Sequence, residues 1–521
     1  MMLLKLNRFF NIYKFFACDK NEKSFTIFLK NHYKKKTNNR NECIIINGYQ
    51  DYYSLIFSFL LNKEKKFKNY DLVIYLPFFK LNKYNFRKNF ITFATFFYIN
   101  TFKSFLLNFK WKNMYSLVSK KNLYFFNLNL FIELDYLKKS EKILKECKNK
   151  LELKLLKYNN ILIGDLIYDT YLRFSGEPTV NLRSPFLVEI LSKTIQLHDY
   201  LKKINIKFNI KYFMSQQHSY IFHGLPFRFF QKTNVMSYHF DNRFNYLRKQ
   251  NKNIKFLRKD FSLFPKVFSK LNNKSSRLAE AHNLLKSKFK GNIIKQERWM
   301  PLSVYHKKKL NINKKINAVI FMHCFVDSPT ARGDSIFEDF YHWIVETLEF
   351  LKKLGLEESV IIKPHPNSQP DSIKFENFLK SKYNKFIWVD RNASNASIFK
   401  LKPKCGISVY GTVLHELAYY NIVPISAGTN PCLAYKFVNT AKTKSEYFSL
   451  IDKAIKNKNK FKININEILE MVYCYYLLDD TRDDLIAKKM NLKNIINETQ
   501  SNSLAIFQKL FIKKIKNVDA I

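Results

Sequence analysis

The chain has 521 residues, which is enough for two or three folded domains with their own cores. Hydrophobic residues make up 46% and charged residues 25%, a globular composition that excludes a disordered or collagen-like protein. The formal net charge of +47 suggests nucleic acid, an anionic membrane surface or an acidic substrate as a partner. The lysines are spread along the whole chain, and no zinc-finger, basic-zipper or aromatic RNA-binding pattern occurs, so nucleic acid is not the expected partner.

The cysteines and the N-terminus indicate a cytoplasmic protein. The seven cysteines lie far apart and form no CxxC pair, which argues against a disulfide scaffold or a structural zinc site. The first 16 residues are interrupted by Lys5, Arg8 and Lys14, so they make a poor signal peptide. Residues 90–109 are the best candidate for a membrane segment, but Lys103 near its middle favours a buried or membrane-touching segment. We expect a soluble protein, or one held peripherally on the inner face of the cell membrane.

Short apolar runs alternate with helical patterns in the first part of the chain. Strands are predicted at residues 43–47, 71–76, 123–126, 161–163, 211–214 and 235–239, and helices at residues 52–62 and 220–231. The succession of strand, turn, helix and strand is typical of a parallel α/β sheet.

A Lys- and Asn-rich stretch at residues 290–315 predicts a connection between two domains. After it, strands are predicted at residues 318–322, 360–363, 386–389, 405–409 and 422–426, and helices at residues 336–354, 412–420 and 480–518. We therefore predict an N-terminal α/β domain over residues 1–305, a C-terminal α/β domain over 316–475 and C-terminal helices over 476–521. Two such Rossmann-like domains form a cleft, in which ligands bind beyond the carboxyl ends of the strands.

The first motif is a Lys-Pro-His-Pro run at the end of the predicted strand 360–363. Pro364 and Pro366 stiffen the loop and hold His365 at the carboxyl end of the strand. Lys363 and His365 can both donate hydrogen bonds to phosphate oxygens. The alternative is a capped turn with a structural histidine.

The second motif joins a strand to a helix. Gly411 permits a tight turn, and Thr412 can cap a helix whose first N–H groups bind anions. Glu416 lies one turn further on the same face, a spacing that suits a phosphate at the helix end and a ribose hydroxyl at the carboxylate. The alternative is an ordinary N-cap followed by an acid that the helix dipole favours. A third motif, VPISAGTNP at residues 423–431, is a short strand with a loop.

In this order, the three motifs resemble the nucleotide-sugar domain of GT-B glycosyltransferases in bacterial capsule polysaccharide biosynthesis. Four further segments are similar to parts of the same proteins: MHCFVD at residues 322–327, FEDFYHW at 337–343, GDLIYDTYLR at 164–173 and HSYIFHGLPFR at 218–228. The resemblance implies a GT-B fold and an enzyme that moves a sugar from a nucleotide-sugar donor to a capsule-type polysaccharide or lipid-linked acceptor. The sugar would be of the hexosyl or the Kdo and sialic acid type, and no metal or other cofactor would be needed.

The resemblance also implies roles for individual residues. His365 would bind the donor phosphates, Lys363 would neutralise their charge, and Glu416 would hold the ribose. The donor-binding residues it implies are Lys363, His365, Gly411, Thr412, Glu416 and Asn430.

A base must deprotonate the acceptor hydroxyl, and the candidates are Asp165, Asp169 and His223. Asp165 directly follows a predicted strand. Asp169 has a structural alternative, an ion pair with Arg173 at i+4, and His223 can equally cap or pack.

Two other functions remain open from the sequence. One is a phosphotransferase that uses a CDP-linked glycerol or ribitol donor, since such enzymes share the His-Pro loop. The other is a non-enzymatic, basic nucleic-acid-binding protein, which the net charge alone suggests.

Overall fold

The computed structural model describes residues 42–48, 70–76, 123–127, 134–215, 217–240, 247–249, 261–292, 310, 312–331, 333–457 and 463–478, together with Ser54, Ser58, Phe67 and Tyr115. The predicted membrane segment at residues 90–109 and nearly all of the predicted C-terminal helices lie outside these residues. The predicted hinge at residues 290–315 lies inside them only in part.

The first sheet is built from short apolar strands, as the sequence predicts. The strands of this part are β1 (Cys43–Asn47), β2 (Asp71–Leu76), β3 (Leu123–Asn127), β4 (Lys157–Tyr158), β5 (Ile161–Leu162), β6 (Ile210–Ser215), β7 (Met236–Phe240) and β8 (Leu247–Lys249). Six of them form the first sheet in the order β3-β2-β1-β6-β7-β8, in which only β8 is antiparallel to its neighbour. The predicted strand at 161–163 is instead part of a separate antiparallel hairpin of β4 and β5.

Five helices and one π-helical turn accompany the first sheet. They are α1 (Leu134–Glu146), α2 (Lys150–Leu155), α3 (Gly164–Ser175), α4 (Pro185–Lys207), the π turn (Tyr220–Gly224) and α5 (Leu225–Lys232). Helix α3 ends at Gly176, whose φ of 76° lies in the left-handed region that glycine adopts without strain. Helices α3, α4 and α5 pack with β1 and β6 in one hydrophobic core.

The second sheet is parallel throughout. Its strands are β9 (Ala318–Phe321), β10 (Val360–Lys363), β11 (Ile387–Trp388), β12 (Cys405–Ser408), β13 (Val423–Ser426) and β14 (Asn439–Thr440), in the order β11-β10-β9-β12-β13-β14. Strands β9, β10 and β12 are buried at every residue, as expected for a parallel sheet covered on both faces. Numbered within their own sheet, the strands of both sheets run 3-2-1-4-5-6, which is the order of the dinucleotide-binding fold.

Eight helices pack around the second sheet in the described part of the chain. They are α6 (Phe264–Ser269), α7 (Lys274–Phe289), α8 (Phe340–Lys353), α9 (Pro370–Lys382), α10 (Asn395–Phe399), α11 (Val413–Tyr419), α12 (Lys444–Ile455) and α13 (Ile465–Val472). The structure therefore confirms an α/β protein with parallel sheets. Helix α8 begins four residues later than predicted, because the Asp339 side chain accepts a hydrogen bond from the His342 N–H and caps the helix there.

Two helices that precede the predicted boundary at residue 305 pack with the second sheet. Phe264 of α6 and Leu285 of α7 share a hydrophobic core with Phe321 of β9 and Leu414 of α11. Helix α13, the last described helix, packs in this same core and not against the first sheet. No helix among the described residues combines the length and the apolar composition needed to cross a membrane.

Candidate functional site

The second sheet has its switch point between β9 and β12, where neighbouring strands lead to connections on opposite sides. His323 follows β9 and is buried at this point. Its Nε2 accepts a hydrogen bond from the Val409 N–H at 3.3 Å and lies 3.1 Å from the Ser408 hydroxyl. Its ring lies against the rings of Phe340 and Tyr410, with centroids 4.7 and 4.6 Å away. His323 thus fixes the backbone that leads from β12 into α11.

Lys363 ends strand β10, directly beside β9, and its side chain is almost completely buried. Burial lowers the pKa of Lys363 to about 8, although the charges of Glu416 and Asp390 act in the opposite direction. Among the described residues, none forms a hydrogen bond or an ion pair with its ammonium group. A buried ammonium group that lacks a direct partner is stabilised when an anion binds beside it.

His365 lies two residues beyond Lys363 in the half-buried loop that leads to α9. Its Nδ1 accepts a hydrogen bond from the Asn367 N–H at 3.2 Å, and its carbonyl oxygen accepts one from the Ser368 N–H. Since Nδ1 accepts, the neutral ring carries its hydrogen on Nε2, which is the arrangement of a hydrogen-bond donor.

Gly411 and Thr412 form the turn from β12 into α11. A Cβ atom on Gly411 would lie 2.8 Å from the Ser408 hydroxyl oxygen, so the turn has little room for a side chain. Thr412 occupies the N-cap position, but its side chain makes no capping hydrogen bond, contrary to the capping role expected from the sequence.

Glu416 is buried and already paired. Its Oε1 accepts from the Lys288 ammonium group at 2.7 Å, and its Oε2 accepts from Asn395 Nδ2 at 3.0 Å. Lys288 belongs to α7 and is also buried, so this ion pair fixes α7 to α11. The carboxylate expected to bind ribose is therefore engaged through both oxygens by other side chains of the chain.

Asn430 organises its own loop. Its side chain is completely buried; Nδ2 donates to the Gly428 carbonyl oxygen and to the Thr440 hydroxyl, and Oδ1 accepts from the Cys432 N–H. The preceding residue, Thr429, hydrogen-bonds Asp334 through its N–H and its side chain. Asn430 thus holds its own loop in place, and the neighbouring Thr429 connects that loop to Asp334 in the β9–α8 loop (residues 322–339).

The three candidate bases of the first part differ in their partners. Asp165 forms a two-pronged ion pair with Arg228, with N···O distances of 2.6 and 2.7 Å. Arg228 also donates to the Leu162 carbonyl oxygen, so the pair connects α3 to α5 and to the end of β5. This geometry is that of a structural ion pair.

Asp169 has no cation as a direct partner among the described residues, and the alternative considered for it, an ion pair with Arg173, is not formed. It is completely buried, and it accepts hydrogen bonds from the N–H and the hydroxyl of Thr330, at 3.1 and 2.6 Å. Burial raises the pKa of Asp169 to about 8, although the bonds from Thr330 act in the opposite direction. Thr330 belongs to the β9–α8 loop, so Asp169 lies where the two parts of the chain meet.

His223 lies at the switch point of the first sheet. Its Nδ1 accepts a hydrogen bond from Asn47 Nδ2 at 2.9 Å, and Asn47 is the last residue of β1. Burial lowers the pKa of His223 to about 3, so the ring is neutral near pH 7. His223 thus lies beside the carboxyl end of β1, and Asp169 lies beside the loop that follows β9. Asp165 is instead held in its ion pair with Arg228.

The loops at the carboxyl ends of the two sheets contact one another. Thr330, in the loop that follows β9, donates through its hydroxyl to the Asp165 carbonyl oxygen at 3.2 Å, and Tyr220 lies in the π turn that follows β6. The φ of Tyr220 is 62°, a conformation that costs energy for a bulky residue and is common at functional sites. Asp339 accepts further hydrogen bonds from Tyr168 and Thr179, both at 2.6 Å. The carboxyl edges of both sheets therefore border a common region.

The sequence analysis missed three residues of this region. His323 carried a usable signal, because it directly follows a predicted strand. Lys288 and Thr330 carried none, because each is identified only by its partner, Glu416 or Asp169, on a distant segment. Within the described parts of the chain, no group of three or more His, Cys, Asp and Glu side chains is arranged to hold a metal ion.

No protein-family model matches the sequence, and no curated protein sequence matches it. Among solved structures, the chain is similar to KpsC, a β-Kdo 2,7 transferase from Thermosulfurimonas dismutans, with 12% identity over 60% of this chain and 97% of that one and a TM-score of 0.28. It is also similar to a glycosyltransferase from Rickettsia africae, with 10% identity over 89% and 100% of the two chains and a TM-score of 0.27. The wall teichoic acid polymerase TagF matches with 10% identity over 98% and 99% and a TM-score of 0.22. The TM-scores are low, and the fold is defined by the strand order and register of the two sheets.

Proposed function

We propose that this chain is a GT-B-type glycosyltransferase that takes a sugar from a nucleotide-activated donor. The donor phosphates bind at the carboxyl edge of the second sheet, and the acceptor hydroxyl approaches from the first. The observation that carries the proposal is Lys363, a buried ammonium group at the strand beside the switch point. Glu416 is already paired with Lys288, and Asp390 is exposed, so an anionic ligand is the missing partner for Lys363.

The groups around Lys363 suit a phosphate. His365 presents its Nε2–H on the next loop, and the turn at Gly411 and Thr412 leads into α11 on the far side of the switch point. Hydrogen bonds and charge at this position stabilise the leaving nucleotide, the type of interaction that often dominates transferase catalysis. Asn430 and His323 contribute indirectly, since they hold the loops that bring these groups together.

Of the three candidate bases, we propose Asp169. Asp165 is held by Arg228, and His223 with its pKa of about 3 is too weak a base near pH 7. A pKa of about 8 for Asp169 lies near the working pH, as general base catalysis requires. The acceptor hydroxyl takes the place of the Thr330 hydroxyl as hydrogen-bond donor to Asp169 Oδ2. The proposed acceptor is a capsule-type surface polysaccharide or a lipid-linked sugar, in agreement with the sequence resemblance.

The proposal is tested first by nucleotide binding. CMP, CDP, UDP, GDP and dTDP are added singly, and the melting temperature of the protein is measured; a ligand of the native state raises it. The His365→Ala variant should bind the active nucleotide about 5- to 150-fold more weakly, because it loses one hydrogen bond of about 1–3 kcal/mol. His282→Ala is the matched control, since that half-buried histidine contacts Tyr419 at the opposite end of α11.

If no nucleotide raises the melting temperature of the wild type, the proposed function is wrong. The phosphotransferase alternative would be correct if the protein transfers glycerol phosphate or ribitol phosphate from a CDP-linked donor. Mass spectrometry of the product detects this transfer.

A further inference from the structure

The loop between β11 and α10 (residues 389–394) lies at the carboxyl edge of the second sheet, beside β10 and Lys363. Asn395, the first residue of α10, connects this loop to the proposed donor site because its Nδ2 donates to Glu416 Oε2 at 3.0 Å. Glu416 in turn holds Lys288 at 2.7 Å. Asn395 is therefore hydrogen-bonded to helix α11, whose first turn at Gly411 and Thr412 belongs to the proposed phosphate site.

The contact with Glu416 fixes which way the Asn395 amide points. A carboxylate oxygen only accepts hydrogen bonds, so the amide nitrogen must face Glu416 and Oδ1 must face the other way. Oδ1 is buried, and no described residue is hydrogen-bonded to it. Such a group costs about 1–3 kcal/mol when it stays unpaired, and native proteins leave few of them.

The loop before Asn395 carries a second polar group of this kind, the guanidinium group of Arg391. Arg391 Nη2 lies 3.2 Å from Glu376 Oε2, which anchors the guanidinium group to α9. Its Nη1 is also buried, and the described part of the chain offers it no hydrogen-bond partner. An acceptor on the first residue of α10 and a donor on the loop before it therefore both have no hydrogen-bond partner among the described residues.

We infer that Asn395 and Arg391 bind the nucleoside part of the donor, and that Glu416 is a positioning residue for Asn395. Asn395 Oδ1 accepts a hydrogen bond from an N–H of the base or from a ribose hydroxyl, and Arg391 Nη1 donates one to a base carbonyl or ring nitrogen. This inference rests on the proposed function. It changes the role expected for Glu416, whose two oxygens are engaged by Lys288 and Asn395.

The test separates the nucleoside from the phosphates. The nucleotide that binds the wild type best, its 2′-deoxy form and inorganic pyrophosphate are titrated by calorimetry against the wild type, Asn395→Ala and Arg391→Lys. Arg391→Lys retains a cation for Glu376 but removes the second guanidinium nitrogen. Each variant should bind the nucleotide about 5- to 150-fold more weakly and pyrophosphate as the wild type does.

The exposed neighbour Asn392 provides the matched control, and Asn392→Ala should bind all ligands like the wild type. If Asn395→Ala weakens only the ribonucleotide, Oδ1 contacts the 2′-hydroxyl; if it weakens both nucleotides equally, Oδ1 contacts the base or another hydroxyl. Unchanged nucleotide affinity in both variants, or an equal loss for pyrophosphate, overturns the inference. Should Asn395→Ala not fold, Arg391→Lys alone decides. A wild type that binds no nucleotide refutes the proposed function instead.

Discussion

The two sheets have the same strand order, but the polar groups at their carboxyl edges differ in charge. In the first sheet, β1 ends at Asn47, which is hydrogen-bonded to the neutral ring of His223. In the second sheet, β10 ends at Lys363, on which the charge of Glu416 acts, and Glu416 itself is paired with the buried Lys288. The common strand order determines where ligand-binding groups lie, and the side chains determine which ligand suits each edge. A neutral edge suits the hydroxyl groups of a sugar acceptor, and a charged edge suits the phosphates of a donor.

The most direct way to break this comparison is to remove one polar group from each edge. Glu416→Ala leaves the Lys288 ammonium group buried without its counter-ion, so we expect a loss of about 3–5 kcal/mol in the free energy of unfolding. Asn47→Ala removes neutral hydrogen bonds to Phe222 and His223, and we expect a loss of about 1–3 kcal/mol. Urea denaturation of both variants measures the two losses.

The double variant Lys288→Met with Glu416→Ala serves as the control, because it removes the buried ammonium group together with its carboxylate and should recover most of the loss. Equal losses at the two edges, or no recovery in the double variant, would contradict the charge difference between them.

A second prediction compares the two acids of helix α3. Asp165→Asn removes the charge opposite Arg228, and we expect the free energy of unfolding to fall by about 2–3 kcal/mol, since hydrogen bonds to charged groups contribute about 1.5–3. Asp169→Asn should cost much less at pH 7, because burial raises the pKa of Asp169 to about 8 and the carboxyl group is already largely protonated.

The difference between these acids depends on pH in a defined direction. Between about pH 4 and pH 8, the folded protein keeps the proton of Asp169 while the unfolded chain releases it. Wild-type stability should therefore fall as the pH rises through this window, by at most about 1.4 kcal/mol per pH unit from this group. Asp169→Asn should lack that fall, while Asp165→Asn should retain it. Parallel stability curves for the wild type and Asp169→Asn at pH 5, 6.5 and 8 would show that Asp169 is ionised in the folded protein.

The sequence predicted the strands well because each is a short apolar run that becomes buried. Residues 43–47, 71–76 and 360–363 are strands over the predicted bounds. Helix α8 was placed correctly, but its start was set four residues too early, because the prediction followed the apolar spacing and did not consider the cap at Asp339. Such elements are predictable because the apolar spacing and the capping residues that determine them lie within a few neighbouring positions of the sequence.

The partners of the site residues were not predictable in the same way. The sequence pattern identified Glu416 and Asp165, but it did not show that Lys288 and Arg228 neutralise them. Each of these pairs joins segments that are far apart in the chain and meet only after the helices have packed. The roles expected for the two acids from the resemblance therefore changed once their contacts were known.

A third prediction sharpens the contrast through Lys363. Burial lowers its pKa to about 8 in the free protein, and a bound phosphate should raise it again. Nucleotide binding then takes up a proton above pH 8, so the affinity should decrease with rising pH by up to about tenfold per unit. Calorimetry at pH 7 to 9.5 tests this, because the nucleotide's own phosphate, with a pKa of about 6, no longer titrates there.

Lys363→Arg should abolish this pH dependence, since the guanidinium group stays charged throughout the range. Lys404→Arg is the control: Lys404 lies before β12, at the opposite edge of the sheet, and contacts the carbonyl oxygen of Ile455. An affinity for the wild type that does not change between pH 8 and 9.5 would place the phosphates away from Lys363.

The smallest expected effect concerns two threonines that both occupy N-cap positions on helices around the second sheet. Thr443 caps α12 by accepting a hydrogen bond from the Glu446 N–H at 3.1 Å, whereas the side chain of Thr412 makes no such bond at the start of α11. Thr443→Ala should therefore lower the free energy of unfolding by about 1 kcal/mol, and Thr412→Ala by less than about 0.5. Nucleotide affinity should show the reverse order. Because the Thr412 hydroxyl is not used for capping, we expect it to donate to a donor phosphate, and its loss should weaken binding about 2- to 12-fold, the equivalent of about 0.5–1.5 kcal/mol. Thr443→Ala should leave binding unchanged. A stability loss in Thr412→Ala as large as that in Thr443→Ala would mean that Thr412 acts as an ordinary cap, and an unchanged affinity would remove it from the donor site.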